Sequence, residues 1–515
     1  MMPARSIRQS SETRPPAPHR PEPAVRAAAQ LAPALGASVL GTVMLLVSLL
    51  VACLFLGARL GADVAHAAAV IVGIGILLSA LADLQRGPQN LVRADLFMLL
   101  SFYFLTFCEF LFPQPGFNTV VSGHSAAKAV IICLWGFAGL AIGRHLFQGR
   151  SQPFRRVMTS PISGGRMTAI FLACALIGYL HMLVAVHFNL VEMVTDFVGP
   201  RFSQPWQRGK FGNWAAIFDE TGMLLYLLPP MAGIILARRN QYSLFQVVIV
   251  AAILVFTLFF GFTTGTRNLF DSFLVTFLIG YALALPKARR AELITITAVC
   301  FALLLFSTSL MLKFRAEGLN AYLNGVRQGD VENTGDGMHV DMNLYPIASI
   351  ADIFPDVRPY LGFEMVYVGL IRPIPRALWK NKPEGLSTSI EDTVGRSDCT
   401  VAASFAGEAY MCGGYVAVFC IAAIFGWCGA WWNRLVSDEN SQLGILIYAS
   451  GFFACVISMR SMLLFTTAML PTMVALIGTS ILIGKGLDAT TRLLSTRPPA
   501  PAPIGPKRRI LQAPN

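Results

Sequence analysis

Residues 244–286 read LFQVVIVAAILVFTLFFGFTTGTRNLFDSFLVTFLIGYALALP, and this stretch decides the fold. Two apolar runs, 244–262 and 269–286, meet at a short polar connection, Thr263-Thr264-Gly265-Thr266-Arg267-Asn268. Each run, wound as a helix, is long enough to cross a hydrocarbon layer of roughly 30 Å. The pair is therefore read as two membrane-spanning helices joined by a tight turn.

The same pattern extends outward in both directions. Spans are read at 36–57, 64–82, 96–113, 126–147, 168–189 and 220–237 before the pair, and at 292–312, 403–432, 441–459 and 463–484 after it. That makes about 12 transmembrane helices of ordinary length. The last boundary is the weakest, because only Ser458, Arg460 and Ser461 interrupt the apolar run there. Composition agrees: 55% of the 515 residues are hydrophobic, 13% are charged, and mean hydropathy is +0.60. A soluble chain of this length carries about twice that charged fraction. The expected class is an all-α polytopic membrane protein. Its net charge of +12 calls for no nucleic acid, since membrane proteins concentrate Lys and Arg in cytoplasmic loops.

Lys and Arg in alternate loops set the expected orientation. One side collects Arg86, Arg93, Arg144, Arg150, Arg155, Arg156, Arg166, Arg238, Arg239, Lys287, Arg289, Arg290 and Arg434, with both basic tails. The other side's short loops hold only Arg59, Lys128, Arg201, Arg208, Lys210, Arg267 and Arg460. Both termini are thus expected in the cytoplasm, with residues 1–34 and 487–515 as disordered tails. Transmembrane helices 1–9 occupy 35–312 and helices 10–12 occupy 403–486. The single long loop, 313–402, then lies outside and is expected to carry short amphipathic helices packed on the bundle or lying in the interface. Residues 1–34 do not read as a cleavable signal peptide, because the first apolar run begins late and is too long.

Most of the ten Cys sit inside apolar runs as small hydrophobes. Cys399 and Cys412 lie near the outer face, which leaves a disulfide between them open. No Walker loop, dinucleotide fingerprint or zinc spacing occurs.

Within the long loop, Ile371-Arg-Pro-Ile-Pro-Arg-Ala-Leu-Trp-Lys-Asn-Lys-Pro-Glu-Gly385 places Arg372, Arg376, Lys380 and Lys382 together, with prolines that forbid a regular helix. It reads either as a preorganised anion site or as a basic loop on lipid headgroups. Arg267, in its tight turn, pairs with Asp271 four residues on or faces an anionic ligand. Gly265 and Thr266 favour a turn that offers backbone N–H groups to a phosphate. Arg201, Arg208 and Lys210 among aromatic residues read better as an interfacial anchor. Arg315 follows a span directly, and Arg460 stands at the apex of an apolar hairpin. Glu408, in Gly407-Glu408-Ala409-Tyr410 beside Gly413-Gly414, is an acid at the outer end of a span; it can orient an Arg or take a proton. Asp341, near His339, is the second candidate acid.

Taken in order, these residues resemble one family. A Gly-Thr-Arg connection precedes one long outer loop through His339-Val340-Asp341-Met342 and Asp352-Ile353-Phe354-Pro355. Pro359-Tyr360-Leu361-Gly362, Ile374-Pro375-Arg376-Ala377-Leu378-Trp379, Lys382-Pro383 and Gly407-Glu408-Ala409-Tyr410 follow. Residues 261–432 resemble the Wzy-type O-antigen and exopolysaccharide repeat-unit polymerases. The Ile-Pro-Arg-x-x-Trp-x-x-Lys-Pro string is the most specific part of the likeness. The resemblance implies a bacterial inner-membrane glycosyltransferase that joins polyprenyl-diphosphate-linked oligosaccharide repeat units in the periplasm. Neither metal nor nucleotide sugar is implied, and a chain-length regulator is an expected partner. Arg267 and Arg376 match the positions that hold the lipid diphosphate, with Arg372, Lys382, Arg315 and Arg460 as further candidates. Glu408, Asp341 and Arg376 are the expected catalytic groups, and Trp379, Tyr360 and Tyr410 the sugar-stacking rings. Asn381 stands where an acid is common in the family. The alternatives are an O-antigen ligase, for which His339 lacks the expected close Asn-Leu context, and a lipid-linked oligosaccharide flippase, for which no repeated halves are visible.

Overall fold

The structure is a computed structural model. The residues it describes exclude 1–34, 57–60, 147–153, 201–202, 207–219, 315–316, 326–341, 375–377, 380, 384–385, 388–389, 396–401, 437–439 and 496–515. The described chain is all-α, with no strand.

Its helices of eight residues or more are α1 (Val39–Leu54), α2 (Gly61–Leu84), α3 (Ala94–Thr106), α4 (Gly123–Gly143), α5 (Gly164–Ala185), α6 (Leu190–Phe197), α7 (Leu228–Ala237) and α8 (Leu244–Thr263). They continue with α9 (Arg267–Ala284), α10 (Arg290–Phe314), α11 (Leu344–Ile353), α12 (Glu364–Ile371), α13 (Ser404–Trp432), α14 (Gln442–Arg460) and α15 (Leu470–Ser495). Among the described residues, eight segments are long and apolar enough to cross a membrane: α2, α4, α5, α8, Arg290–Ser307 of α10, Ser404–Leu435, α14 and Met462–Leu482. The shorter apolar helices include α1, α3 and Gly222–Ala237, whose first turn is 3-10. Most read spans correspond to one helix, several beginning two to four residues earlier than read; 220–237 opens with a 3-10 segment before α7, and 463–484 opens with a 3-10 turn and a four-residue helix before α15 begins at Leu470. Helix α15 runs past 486, where the tail was expected to begin.

Helix α14 is central: 17 of its 19 residues are buried, although it is no more apolar than its neighbours. Small residues let backbones approach closely elsewhere. On α4, a Cβ at Gly139 or Gly143 would stand 2.5 Å or 2.2 Å from the carbonyl oxygens of Phe419 and Ala423 on α13. With no hydrophobic drive between helices in lipid, such close packing is what holds two of them together.

Hydrogen bonds between connections gather at two ends of the bundle. At one end Ala94 N–H donates to Asn433 Oδ1 (2.8 Å), Ser441 N–H to the Met158 carbonyl (2.9 Å), and Arg289 to the Ala237 carbonyl (2.9 Å). At the other, Ala62 N–H donates to Asn118 Oδ1 (2.8 Å), Asn343 to the Leu105 carbonyl (3.0 Å), and Asn320 N–H to the Val198 carbonyl (3.0 Å). Helix α11 belongs to this second end. Six of its ten residues are buried, so it is packed into the bundle and does not float in an interface.

Candidate functional site

At the second end, α13 is broken. Gly413 and Gly414 leave helical geometry, and Gly414 takes φ +68 and ψ −155, a region open essentially to glycine alone. The break frees the carbonyls of Met411 and Cys412 from their helical partners. The long loop satisfies them: Leu361 N–H donates to the Met411 carbonyl (2.8 Å) and Gly362 N–H to the Cys412 carbonyl (3.0 Å).

This pairing sets Tyr360 against the break, where a Cβ on Gly414 would lie 2.7 Å from its hydroxyl. Tyr360 is 37% exposed and Tyr410 only 4%. Tyr410 stands edge-on to Tyr360 (centroids 6.0 Å apart) and to Tyr415 (5.2 Å). Of the sugar-stacking candidates, Tyr360 therefore offers a ring to solvent, and Tyr410 supports it from behind. Trp379 is half-buried.

One turn before the break, Glu408 is 1% exposed. The turn after α14 closes on it: Ser461 Oγ donates to Oε1 (2.5 Å), and the Met462 and Leu463 amides donate to Oε2 (2.7 and 3.4 Å). Three donors hold the carboxyl group, and burial closes it off from solvent. The weak boundary read at 458–461 is thus a built turn, with Arg460 at its head. Cys412 is a free, buried thiol whose Sγ lies 3.4 Å from the Glu408 carbonyl, while Cys399 falls outside the described residues.

Helix α12 lies on the same turn. A Cβ on Gly369 would lie 3.6 Å from Leu463 Cα, and Thr466 Oγ1 donates to the Gly369 carbonyl (2.5 Å). Its C-terminal Arg372 is exposed and attracts the Glu408 carboxylate. Lys382 Nζ donates to the carbonyls of Arg372 and Ile374 (both 2.9 Å), closing the end of α12 as a cation should. Ser387 Oγ donates to Glu364 Oε2 (2.7 Å) and fastens the basic loop to the start of α12.

Arg267 begins α9, half-buried. Gly265 adopts φ +62, the tight turn read from sequence. Its amides are turned inward, however: Gly265 N–H reaches the Phe262 carbonyl (3.2 Å) and Thr266 N–H reaches Thr264 Oγ1 (3.3 Å). They do not form the expected phosphate cradle. Tyr226 fixes the level of Arg267, packing on Phe273 of α9 (5.5 Å) and Phe453 of α14 (4.2 Å). Arg267 and Arg460 stand six and seven residues beyond those rings, about 9 and 10 Å at 1.5 Å per residue, so both reach the same end. The structure thus brings Arg372, Lys382, Arg460 and Glu408 around one turn, with Arg267 at their level. Arg376, Arg315 and Asp341 lie outside the described residues, as do Arg201, Arg208 and Lys210.

Sequence reading missed a network at the opposite end. Arg93, counted there as a loop cation, is fully buried and bridges Asp83 (2.8 Å) and Asp95 (3.0 Å). Asn433 donates to Asp95, and Ser38 N–H donates to Asp83 (2.7 Å). Nearby, Arg144 donates to Thr42 (2.6 Å) and Ser79 (3.0 Å). An Arg flanked by Asp ten residues before and two after was the available signal. Removing one partner from such a buried set costs about 3–5 kcal/mol, which gives the network a structural role. No group of three or more His, Cys, Asp or Glu among the described residues is arranged to hold a metal. Compared with known proteins, the chain matches no family model, no curated protein and no solved structure.

Proposed function

We propose that this chain is a multi-pass inner-membrane glycosyltransferase with about 12 spans and both termini in the cytoplasm. It joins polyprenyl-diphosphate-linked oligosaccharide repeat units on the periplasmic face, as the resemblance implies. The observation that carries this reading is the gathering of Arg372, Lys382 and Arg460 on the turn held by Glu408, beside an exposed tyrosine.

The leaving group of such a transfer is a lipid diphosphate. An acceptor hydroxyl attacks the anomeric carbon, the carbon–oxygen bond to the diphosphate breaks, and its electron pair leaves with the lipid. Arginines preset at the membrane surface stabilise that growing charge, and their planar fork suits phosphate oxygens. Arg267, Arg372, Arg376 and Arg460 are assigned to this clamp, with Lys382 and Arg315 beside it. Glu408, sealed by its three donors, positions the turn that carries Arg460. The hydroxyl proton passes to an accessible carboxylate, for which Asp341 is the candidate. Tyr360 and Trp379 meet sugar faces.

Purified protein with lipid-linked repeat units should produce a ladder of polymer lengths. Arg372→Ala, Arg376→Ala and Arg460→Ala should each slow it roughly 100-fold, a loss of about 2.7 kcal/mol. The Lys variants, which keep charge and lose the fork, should recover only part. Near-normal ladders from all three Ala variants at normal protein levels would reduce the basic loop to a headgroup anchor.

A further inference from the structure

A polar cleft opens at the same end of the bundle, between the start of α4 and α11. It encloses about 350 Å³ and is lined by Val120, Val121, Ser122, Ser125, Ser349 and Asp352. That is within the size of small-ligand clefts, roughly 300–1,000 Å³. We propose that this cleft binds a neutral sugar ring of the oligosaccharide, as a saccharide subsite separate from the arginine clamp. The role rests on the glycosyl-transfer reading; the binding chemistry does not.

Three features select the ligand. The first is charge. Asp352 is the one charged residue of the lining, and Lys128 Nζ, 3.3 Å from its Oδ1, balances it from beside the cleft, so the site favours neither phosphate nor metal. The second is the row of hydroxyls. Ser122 Oγ lies 2.7 Å from Ser125 Oγ, which donates to Asp352 Oδ2 (2.5 Å), and Ser349 stands on the opposite wall. Each carboxylate oxygen keeps a second lone pair, so Asp352, its side chain 44% exposed, can accept from two neighbouring ring hydroxyls. The third is the apolar side, Val120 and Val121, which suits the C–H face of a pyranose.

Placement ties the cleft to the clamp. On its other side α11 packs Ile347 and Ile350 against Gly407, the residue before Glu408, with a Cβ there 3.2 and 3.4 Å away. Helix α11 therefore separates the sugar cleft from α13, whose Glu408 in turn holds the turn that carries Arg460. Lys128 is near enough to Tyr415 to act on it electrostatically, which sets the cleft near the Tyr360–Tyr410–Tyr415 cluster. An oligosaccharide of a few rings would span from the diphosphate clamp across the tyrosines into the cleft.

The test is saturation-transfer NMR on the full chain in detergent, with methyl glycosides of glucose, galactose, mannose, rhamnose and N-acetylglucosamine. At least one should receive saturation from the protein. Ser349→Trp, which fills the cleft and leaves Asp352 and Lys128 in place, should abolish it, and Asp352→Asn should weaken it about tenfold. Thermal melting checks that both variants fold. Inorganic diphosphate should not compete, and Arg372→Ala should bind the sugar normally. The inference is overturned if no glycoside receives saturation, if both variants keep it, or if diphosphate displaces it. Sugar binding that follows the cleft variants, in purified protein that makes no polymer ladder from lipid-linked repeat units, would sink the polymerase reading and leave the subsite standing.

Discussion

A carboxylate buried on a membrane helix is costly unless donors surround it, and Glu408 has three, all from residues 461–463. The Gly-Glu-Ala-Tyr context marked this acid in the sequence. Its donors, some 53 to 55 positions away, were not visible there, because an amide that turns toward a charge has no sequence signature. Glu408→Gln keeps the shape but turns an NH2 group toward a donor, so a buried amide or hydroxyl loses its acceptor at a cost of about 1–3 kcal/mol. Melting in detergent should fall by several degrees, and the polymer ladder should shorten sharply as Arg460 loses its support. Ser461→Ala removes one donor of three and should do less on both readouts. Unchanged melting and activity in Glu408→Gln would show that the turn stands without its carboxylate.

On the scale of one element, the break in α13 matters most. Sequence reading took 403–432 as a single span and read its Gly pair as a place of close approach. Tyr360 does approach Gly414 closely, but the run is two helices joined at the Gly pair, and the partners of that break come from the loop: only when Leu361 and Gly362 supply amides can the Met411 and Cys412 carbonyls leave the helix. Gly414→Ala forces a side chain into a conformation that costs about 1–3 kcal/mol and drives its Cβ against the Tyr360 hydroxyl. Melting should fall accordingly. Adding Tyr360→Phe removes the clash but not the backbone strain, so it should restore part of the loss. Complete rescue, or no loss at all, would contradict a glycine-only break.

Across the whole molecule, the ends differ in charge. Among the described residues Arg86, Arg93, Arg144, Arg155, Arg156, Arg166, Arg238, Arg239, Arg289, Arg290 and Arg434 belong to one end. Lys128, Arg267, Lys313, Arg358, Arg372, Lys382 and Arg460 belong to the other. With the richer end in the cytoplasm, a periplasm-active reporter fused after Gly337 should be active and one fused after Arg290 silent. The reverse at either site would invert the orientation and remove the periplasmic chemistry with it.

By itself the sequence determined the helical class, the approximate position of most long helices and the charge asymmetry, because lipid demands apolar length and loop cations are local features. Tertiary structure alone decided which cations meet. Arg93 entered a buried pair with Asp83 and Asp95 where a solvated loop charge was expected, while Arg372 and Arg460, 88 positions apart, came to one turn. Those outcomes depend on which helices pack side by side, and in lipid that choice falls to small residues and hydrogen bonds, which hydropathy does not record.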